Sequence, residues 1–434
     1  MEHTNRHSPG AEKLGKPLVF FIVNRLYEWS QNFITRELSE LNELGLEMLI
    51  GARQIIDRPD LAEAEKRLRE KYFPIADNPF NFRYLKNHLA LAFRRPRRYL
   101  QAWKTLFSLR HELKKFPRAV VCLFRAAGIA AEIERRGVTL IHAHFLTAPA
   151  ETALYLSVFT GIPFSATAYA MDLYVDTSGL KGKLARAAAV NGTTLYNERF
   201  MDSLLTGHPK KTTTRYYGLP PSKTIQPAPP AAPFTFLAVG RMVEKKGFEY
   251  LLLACHILKK RGLQFRCEII GTGPLEAKLR NMVAELGLAN EVHIQGMVLP
   301  NHLDERYRNS HVLVAPCVVA SNGDIDGLPN VILEAMNNGL PVISTDISGI
   351  PEAVVNGYNG WLVPQKNVQA LAHAMEQAIH LKNLEAMRQA ARQTISEKFD
   401  IAKNAQKIKD WLEGVARHAG VPQRQIVEKE AMSS

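Results

Sequence analysis

Hydrophobic positions along this chain follow two periods that replace each other repeatedly. LVFFIVN (18–24) is a short apolar run, FITRELSELNELG carries apolar residues at helical spacing and stops at Gly45, and LEMLIGA is apolar again. Short apolar runs predict buried strands, and the 3.6-residue stripe between them predicts a covering helix. The pattern returns with a strand at VTLIHAHF (138–145), a helix over 148–160 ending at Gly161, and a strand at FSATAYA. Past residue 234 it restarts more cleanly: FTFLAVG, a helix from Gly247 to Arg261, FRCEIIG, a helix from Leu275 to Leu286, and VHIQG. Strands at HVLVAP (311–316), LPVISTD (340–346) and GWLVP (360–364) follow, with helices between them. Such alternation predicts the α/β class, with parallel sheets covered on both faces and ligands beyond the C-terminal strand ends.

The break between the two halves falls at IQPAPPAAP (225–233), where Pro227, Pro229, Pro230 and Pro233 can continue neither period. The expected organisation is a disordered leader (1–16), a first domain (17–224) with a basic helical insert (82–118), the linker, and a second domain (234–397). A crossing helix (398–417) follows, N-capped by Asp400 and carrying Ile401, Ala405, Ile408, Trp411 and Leu412 on one stripe, then a disordered tail (418–434).

The length of 434 residues fits two cores rather than one. Cys122, Cys255, Cys267 and Cys317 sit in apolar runs without metal spacing, which predicts buried free thiols. The leader lacks the apolar core of a signal peptide, and PLVFFIV is too short to span a bilayer. A cytoplasmic protein is expected. The net charge of +13 concentrates in residues 83–118, where eleven Lys and Arg face one acid, Glu112, with Tyr84, Phe93, Tyr99, Trp103 and Phe107 interleaved. Aromatic anchors among cations read as attachment to an anionic membrane surface. The rivals are a solvated basic face and nucleic acid, and no nucleic-acid-binding module surrounds the stretch.

Chemistry concentrates in the second half. DGLPNVILE places Asp326 and Glu334 around a helix that opens at Pro329 or Asn330. Its free amides and positive dipole end would face an anion above Gly327 and Leu328, and the two acids could accept hydroxyl hydrogen bonds on either side. AVGRMVEKKG puts Arg241 and Lys246 just past a strand, between Gly240 and Gly247, where two cations could converge on one diphosphate. EIIGTGPLEAKL brackets Thr272 with Gly271 and Gly273, and SGIPEAV repeats the Gly-Pro helix opening; neither is a dinucleotide fingerprint. HAH (142–144) puts two imidazoles on one strand face without a third ligand, so no metal is expected. No nucleophile triad stands out.

Taken together, VGRMVEKKGFEYLL, EIIGTGPLEAKL, VHIQG, HVLVAPCVVASNGDIDGLPNVILEAMNNGLPVISTDISGIPEAV and NGWLVP resemble the retaining glycosyltransferases of family 4, most closely the bacterial exopolysaccharide and colanic-acid type. LIHAHF, GIPFSATAYAMDLY and YYGL extend the resemblance loosely into the first half. It implies a GT-B fold: two facing Rossmann-like domains with a C-terminal crossing helix. It also implies metal-independent sugar transfer from a UDP- or GDP-sugar, with no cofactor, to a lipid-linked or polysaccharide acceptor in cell-envelope biosynthesis, at the inner face of the plasma membrane. By the same resemblance Arg241 and Lys246 would hold the diphosphate and Glu334 the ribose. Asp326 and the backbone of Gly327, Leu328, Pro329 and Asn330 would hold sugar and phosphate; Gly240, Gly271 and Gly273 would admit the donor; Gly296, Met297 and Val298 would lie near the base.

On the acceptor side the candidates are Ser30, Gln31, His144, Tyr169 and Asp172. Here the chain departs from the family pattern: Tyr169 stands where a strand-end histidine is usual, SQNF (30–33) replaces a sequence close to SETF, and the first acid of the nonamer is Asp326 rather than glutamate. These departures motivate one alternative, a catalytically silent sugar-nucleotide-binding partner of another transferase. A GT-B nucleotide-sugar epimerase is the other.

Overall fold

Apolar runs become the central strands of two sheets, while the sheet edges range from Thr-Thr-Thr at Thr212–Thr214 to Gly-Trp-Leu-Val at Gly360–Val363. The computed structural model describes residues 16–28, 31–109, 112–222, 232–298 and 300–419. Ser30, most of the linker, nearly all of the leader and nearly all of the tail lie outside the described residues. In the first half β1 (Val19–Ile22), β2 (Met48–Ala52), β3 (Tyr72–Pro74), β4 (Leu140–His144), β5 (Phe164–Ala168), β6 (Ala189–Gly192) and β7 (Thr212–Thr214) form one sheet in the order β3-β2-β1-β4-β5-β6-β7. In the second half β8 (Thr235–Val239), β9 (Arg266–Ile270), β10 (Val292–Gln295), β11 (Val312–Ala315), β12 (Val342–Thr345) and β13 (Gly360–Val363) take the order β10-β9-β8-β11-β12-β13. All pairings within these two sheets are parallel.

Both orders reverse direction beside the first strand of their sheet, between β1 and β4 and between β8 and β11, leaving a crevice at each switch point. Every residue of β1, β4, β5, β11 and β12 is buried, because helices cover both faces; that is why these strands read as continuous apolar runs rather than alternating ones.

The basic stretch is not one amphipathic helix. It forms two helices, Phe82–Arg94 and Pro96–Ser108, and its last residues open a third, Phe116–Arg135, which packs deep against the helix Ala148–Thr160 as part of the core. The insert therefore gives way to core at Phe116, short of the expected 118. Several of its cations face inward: Arg95 pairs with Glu134 at 2.5 Å, Arg98 donates to the Phe159 carbonyl at 3.1 Å, and Arg118 bridges Glu151 and Asp176.

The terminal helix spans Ile401–Ala419, against the expected 398–417, because Lys398 closes the preceding helix; Asp400 Oδ1 accepts from the Lys403 amide at 2.9 Å. It returns to the first domain. Ala405, Ile408 and Leu412 join the cluster around Phe21, Leu38 and Phe145, and Trp411 meets His142 edge to face. Leu219 and the Phe399–Ile401 segment exchange backbone hydrogen bonds of 2.8 and 3.2 Å, so the chain crosses back beside YYGL. All four cysteines are free and buried.

Candidate functional site

The loop after β8 is shaped by close backbone packing with the strands beside it. Gly247 has φ +67°, and a Cβ there would stand 1.9 Å from the Pro316 carbonyl oxygen beyond β11. A Cβ on Gly271, after β9, would stand 2.0 Å from the Gly240 oxygen. Larger residues at either place would push the loop off the switch point. The short turn Glu244–Lys246 then aims Lys246 into the crevice.

There Lys246 Nζ donates to Asp326 Oδ2 at 2.6 Å. Lys245 Nζ sits beside it, 2.9 Å from Asp324 Oδ1 and 3.2 Å from Asp326 Oδ1. Burial works against the ionised Asp326, but the two ammonium groups overcome it and hold its pKa below the ordinary carboxylate value. Burial likewise opposes the Lys246 charge, and Asp326 outweighs it, raising the lysine's pKa. Arg241, one residue past Gly240, is exposed and makes no side-chain hydrogen bond or ion pair among the described residues.

From Asp326 the chain turns through Gly327 into the helix Asn330–Asn337, with Pro329 at its N-cap. The Ser348 hydroxyl donates to the carbonyls of Asp326 and Gly327 at 2.6 and 2.7 Å, and the Gly349 amide donates to Gly327 at 2.8 Å. Within the helix Glu334 accepts from the Tyr307 hydroxyl at 3.2 Å. Burial raises the Glu334 pKa, partly offset by the charge of Arg36 from the first domain. The other donor-side candidates lie further out. Gly273 packs on the Met242 backbone, and Gly296, Met297 and Val298 follow β10 at the sheet edge, with Met297 exposed.

Across the crevice the first domain brings Ala170 and Asn197 up to Gly327; a Cβ on that glycine would be 3.7 and 3.5 Å from them. Next to Ala170, the Tyr169 hydroxyl is 2.9 Å from His144 Nδ1, and His144 Nε2 is 3.7 Å from Glu37 Oε1. Burial drives the His144 pKa down to about 3 and the Glu37 pKa up to about 8, so at neutral pH both side chains are uncharged. His142, on the same strand face, bonds Ser165 and Thr167, and burial keeps its pKa well below the usual value. The two imidazoles are core groups. Among the described residues no cluster of three or more His, Cys, Asp or Glu is arranged to hold a metal ion.

Two acceptor-side candidates are not where the sequence reading put them. Asp172 is fully buried; its Oδ2 accepts from the Tyr169 and Leu146 amides at 3.0 and 2.9 Å, tying the ends of β4 and β5 together. His144 is fully covered, beneath Tyr169. Among the described members of this set only Gln31, at the N-cap of Asn32–Glu43, and Tyr169 are even partly open. Three charged residues went unnoticed in the sequence. Lys245 was legible as the first cation of EKK, beside Lys246, whereas Arg36 and Glu37 sit in an ordinary amphipathic helix and acquire meaning only when that helix docks beside the crevice.

Comparison with known proteins fits this geometry. Residues 223–394 match the family described as Glycosyl transferases group 1. A putative colanic acid biosynthesis glycosyltransferase of Salmonella typhimurium is 34% identical over 39% of this chain and 43% of its own length. The amylovoran biosynthesis glycosyltransferase of Erwinia amylovora is 39% identical over 32% of this chain and 34% of its own. The chain thus spans less than half the length of these relatives in alignment. In overall structure it is similar to the Anabaena protein HepE, solved in complex with UDP and glucose, with a TM-score of 0.64 over 92% of this chain and 100% of that one at 16% identity. At that identity the likeness establishes the fold: two facing Rossmann-like domains of GT-B type.

Proposed function

The chain carries a glycosyl transferases group 1 domain at residues 223–394, and from that premise we propose that the whole protein transfers a sugar from a nucleotide sugar to a glycan or lipid-linked acceptor in exopolysaccharide biosynthesis. The observation that carries this reading is the Lys246–Asp326 pair at the β8–β11 switch point, 2.6 Å long, with Arg241 exposed beside the same strand end. Lys246 and Arg241 supply charge for a diphosphate that becomes more negative as the glycosidic bond breaks, and electrostatic preorganisation of this kind lowers the barrier without a covalent intermediate. Asp326 and the Gly327–Asn330 backbone would hold the sugar hydroxyls and phosphate, and Glu334 the ribose. The acceptor hydroxyl attacks from the face the leaving group vacates, with a phosphate oxygen taking its proton, so configuration is retained and no metal is required. The transferase names of the relatives favour transfer over the silent-partner and epimerase readings. Nucleoside diphosphate release from a panel of UDP- and GDP-sugars, with a cell-envelope lipid extract as acceptor, is the test; no release from any donor would sink the proposal.

The acceptor's membrane accounts for the basic insert. On the helix Phe82–Arg94, Phe82, Leu85, Leu89 and Phe93 form one exposed stripe, with Leu89 at 74% and Phe93 at 90% exposure. Leu100 and Phe107 extend it on the next helix, and Arg83, Lys86, Arg94, Arg97 and Lys104 are exposed around it. Apolar side chains in a ring of cations suit an anionic bilayer surface. No helix among the described residues is long and apolar enough to cross a membrane.

A further inference from the structure

The SGIPEAV motif, which the donor site only partly uses, reaches across the domain interface. Glu352 lies in the short turn Ile350–Glu352 of the second domain, and each of its side-chain hydrogen bonds goes to the first. Its Oε2 accepts from the Leu195 amide at 2.8 Å and the Tyr216 hydroxyl at 2.7 Å; its Oε1 accepts from the Tyr196 amide at 3.0 Å. Leu195 and Tyr196 open the helix Leu195–Leu204, whose first amides have no partner within the helix. A carboxylate from the other domain fills that place and meets the positive end of the helix dipole.

The same turn holds the donor loop. Four residues before Glu352, Ser348 donates to the carbonyls of Asp326 and Gly327, and Gly349 donates to Gly327. Gly349 is also pressed against the first domain: a Cβ there would lie 2.4 Å from Thr194 Cγ2. A rigid stretch of five residues thus touches the first domain at one end and the backbone beside Asp326 at the other.

We propose that Glu352 is an interdomain latch and a positioning residue for sugar transfer: by capping the helix Leu195–Leu204 it holds the domains closed, and through Ser348 and Gly349 it fixes the Asp326–Gly327 loop relative to the first domain. The kinetic half of this proposal rests on the transferase reading; the conformational half does not. Spin labels at Lys181→Cys in the first domain and Gln377→Cys in the second, both exposed positions away from the latch, report the interdomain distance in the full chain. Glu352→Gln keeps the side chain's shape but loses the two-oxygen acceptor, and Tyr216→Phe removes a single donor.

A narrow distance distribution is expected in the otherwise unaltered protein, a second, longer population in Glu352→Gln, and a smaller shift in Tyr216→Phe. In Glu352→Gln, kcat/KM should fall roughly tenfold, as for loss of a charged hydrogen-bond acceptor, while nucleoside diphosphate binding, followed by thermal shift, stays unchanged. Identical distance distributions in all three proteins overturn the latch, whatever their activities. A changed distribution with unaltered kcat/KM overturns the positioning role. If the two latch variants open as expected but none of the three proteins transfers sugar, the latch stands and the transferase reading falls.

Discussion

Lys246 Nζ lies 2.6 Å from Asp326 Oδ2, joining residues 80 positions apart across the switch point of the second sheet. The pair sets up a charge balance that a diphosphate would disturb, since its arrival adds negative charge beside a lysine already matched by one acid. Lys245 and Arg241 are the further cations near that strand end, and Lys245 is itself engaged with Asp324. Arg241 is left as the cation with no side-chain partner among the described residues.

Removing Lys246 should harm both function and stability. Lys246→Ala leaves Asp326 buried without the larger of its two cationic partners, and the expected cost is about 1–3 kcal/mol in urea unfolding, with turnover lowered by roughly a hundredfold or more. Adding Asp326→Asn should restore stability without restoring activity. If the double variant is no more stable than Lys246→Ala, the pair is not what holds the loop.

The pair also fixes a sign for acid stability. Asp326 has a folded pKa below its unfolded value, so its contribution is complete above the unfolded pKa and is lost as pH falls through the depressed folded one. Relative to Asp326→Asn, the native protein should lose stability progressively below about pH 4. A constant difference from pH 7 to pH 3 would contradict the charge pairing.

Glu37 gives the opposite sign. Its pKa is raised from 4.5 to about 8, so the folded state keeps a proton that the unfolded chain releases, and stability falls as pH rises between those values. Glu37→Gln removes this dependence. Its stability relative to the native protein should increase from pH 5 to pH 8, at no more than about 1.4 kcal/mol per pH unit. Denaturant midpoints at several pH values measure it, and parallel pH profiles would rule the assignment out.

Which features were legible follows from burial. Strands covered on both faces announced themselves as apolar runs, and Gly161, with φ +82°, ended its helix where the pattern did. β7 is Thr-Thr-Thr at a sheet edge and carries no apolar signal, and β3, Tyr72–Pro74, is too short to show a period before Pro74 ends it. On the donor side, Lys246 and Asp326 lie in glycine-rich turns whose spacing already pointed to an anion. The first domain was read less well because its polar groups face the core: Asp172 and His144 looked like cleft residues, yet one ties two strand ends together and the other lies beneath Tyr169. Nothing in a single sequence distinguishes a polar group that faces a ligand from one satisfied inside.

Tyr169 occupies the strand end beside Ala170, which faces Gly327, and satisfies His144 Nδ1 at 2.9 Å. Tyr169→Phe should cost about 1–2 kcal/mol by leaving that nitrogen unpaired. Tyr169→His should gain no activity, since the native phenol already fills this place; a large gain would favour the silent-partner reading instead.

For membrane attachment, the informative substitutions are those on the exposed stripe. Arg95 and Arg98 are tied to Glu134 and Phe159, so neutralising them tests folding rather than binding. Leu89→Ser with Phe93→Ser should abolish flotation on anionic liposomes and leave the melting temperature within a degree or two. Flotation equal to that of the native protein removes the membrane from the account.

The central claim is that Lys246 and Asp326 form the donor end of a sugar-transfer site. Nucleoside diphosphate release, measured side by side for the native protein and Lys246→Ala with a UDP- and GDP-sugar panel and a cell-envelope lipid extract, addresses it most directly. Acceptor-dependent release from one donor by the native protein, and its near-complete loss in a folded Lys246→Ala, is the predicted result. Equal release by both proteins would contradict it.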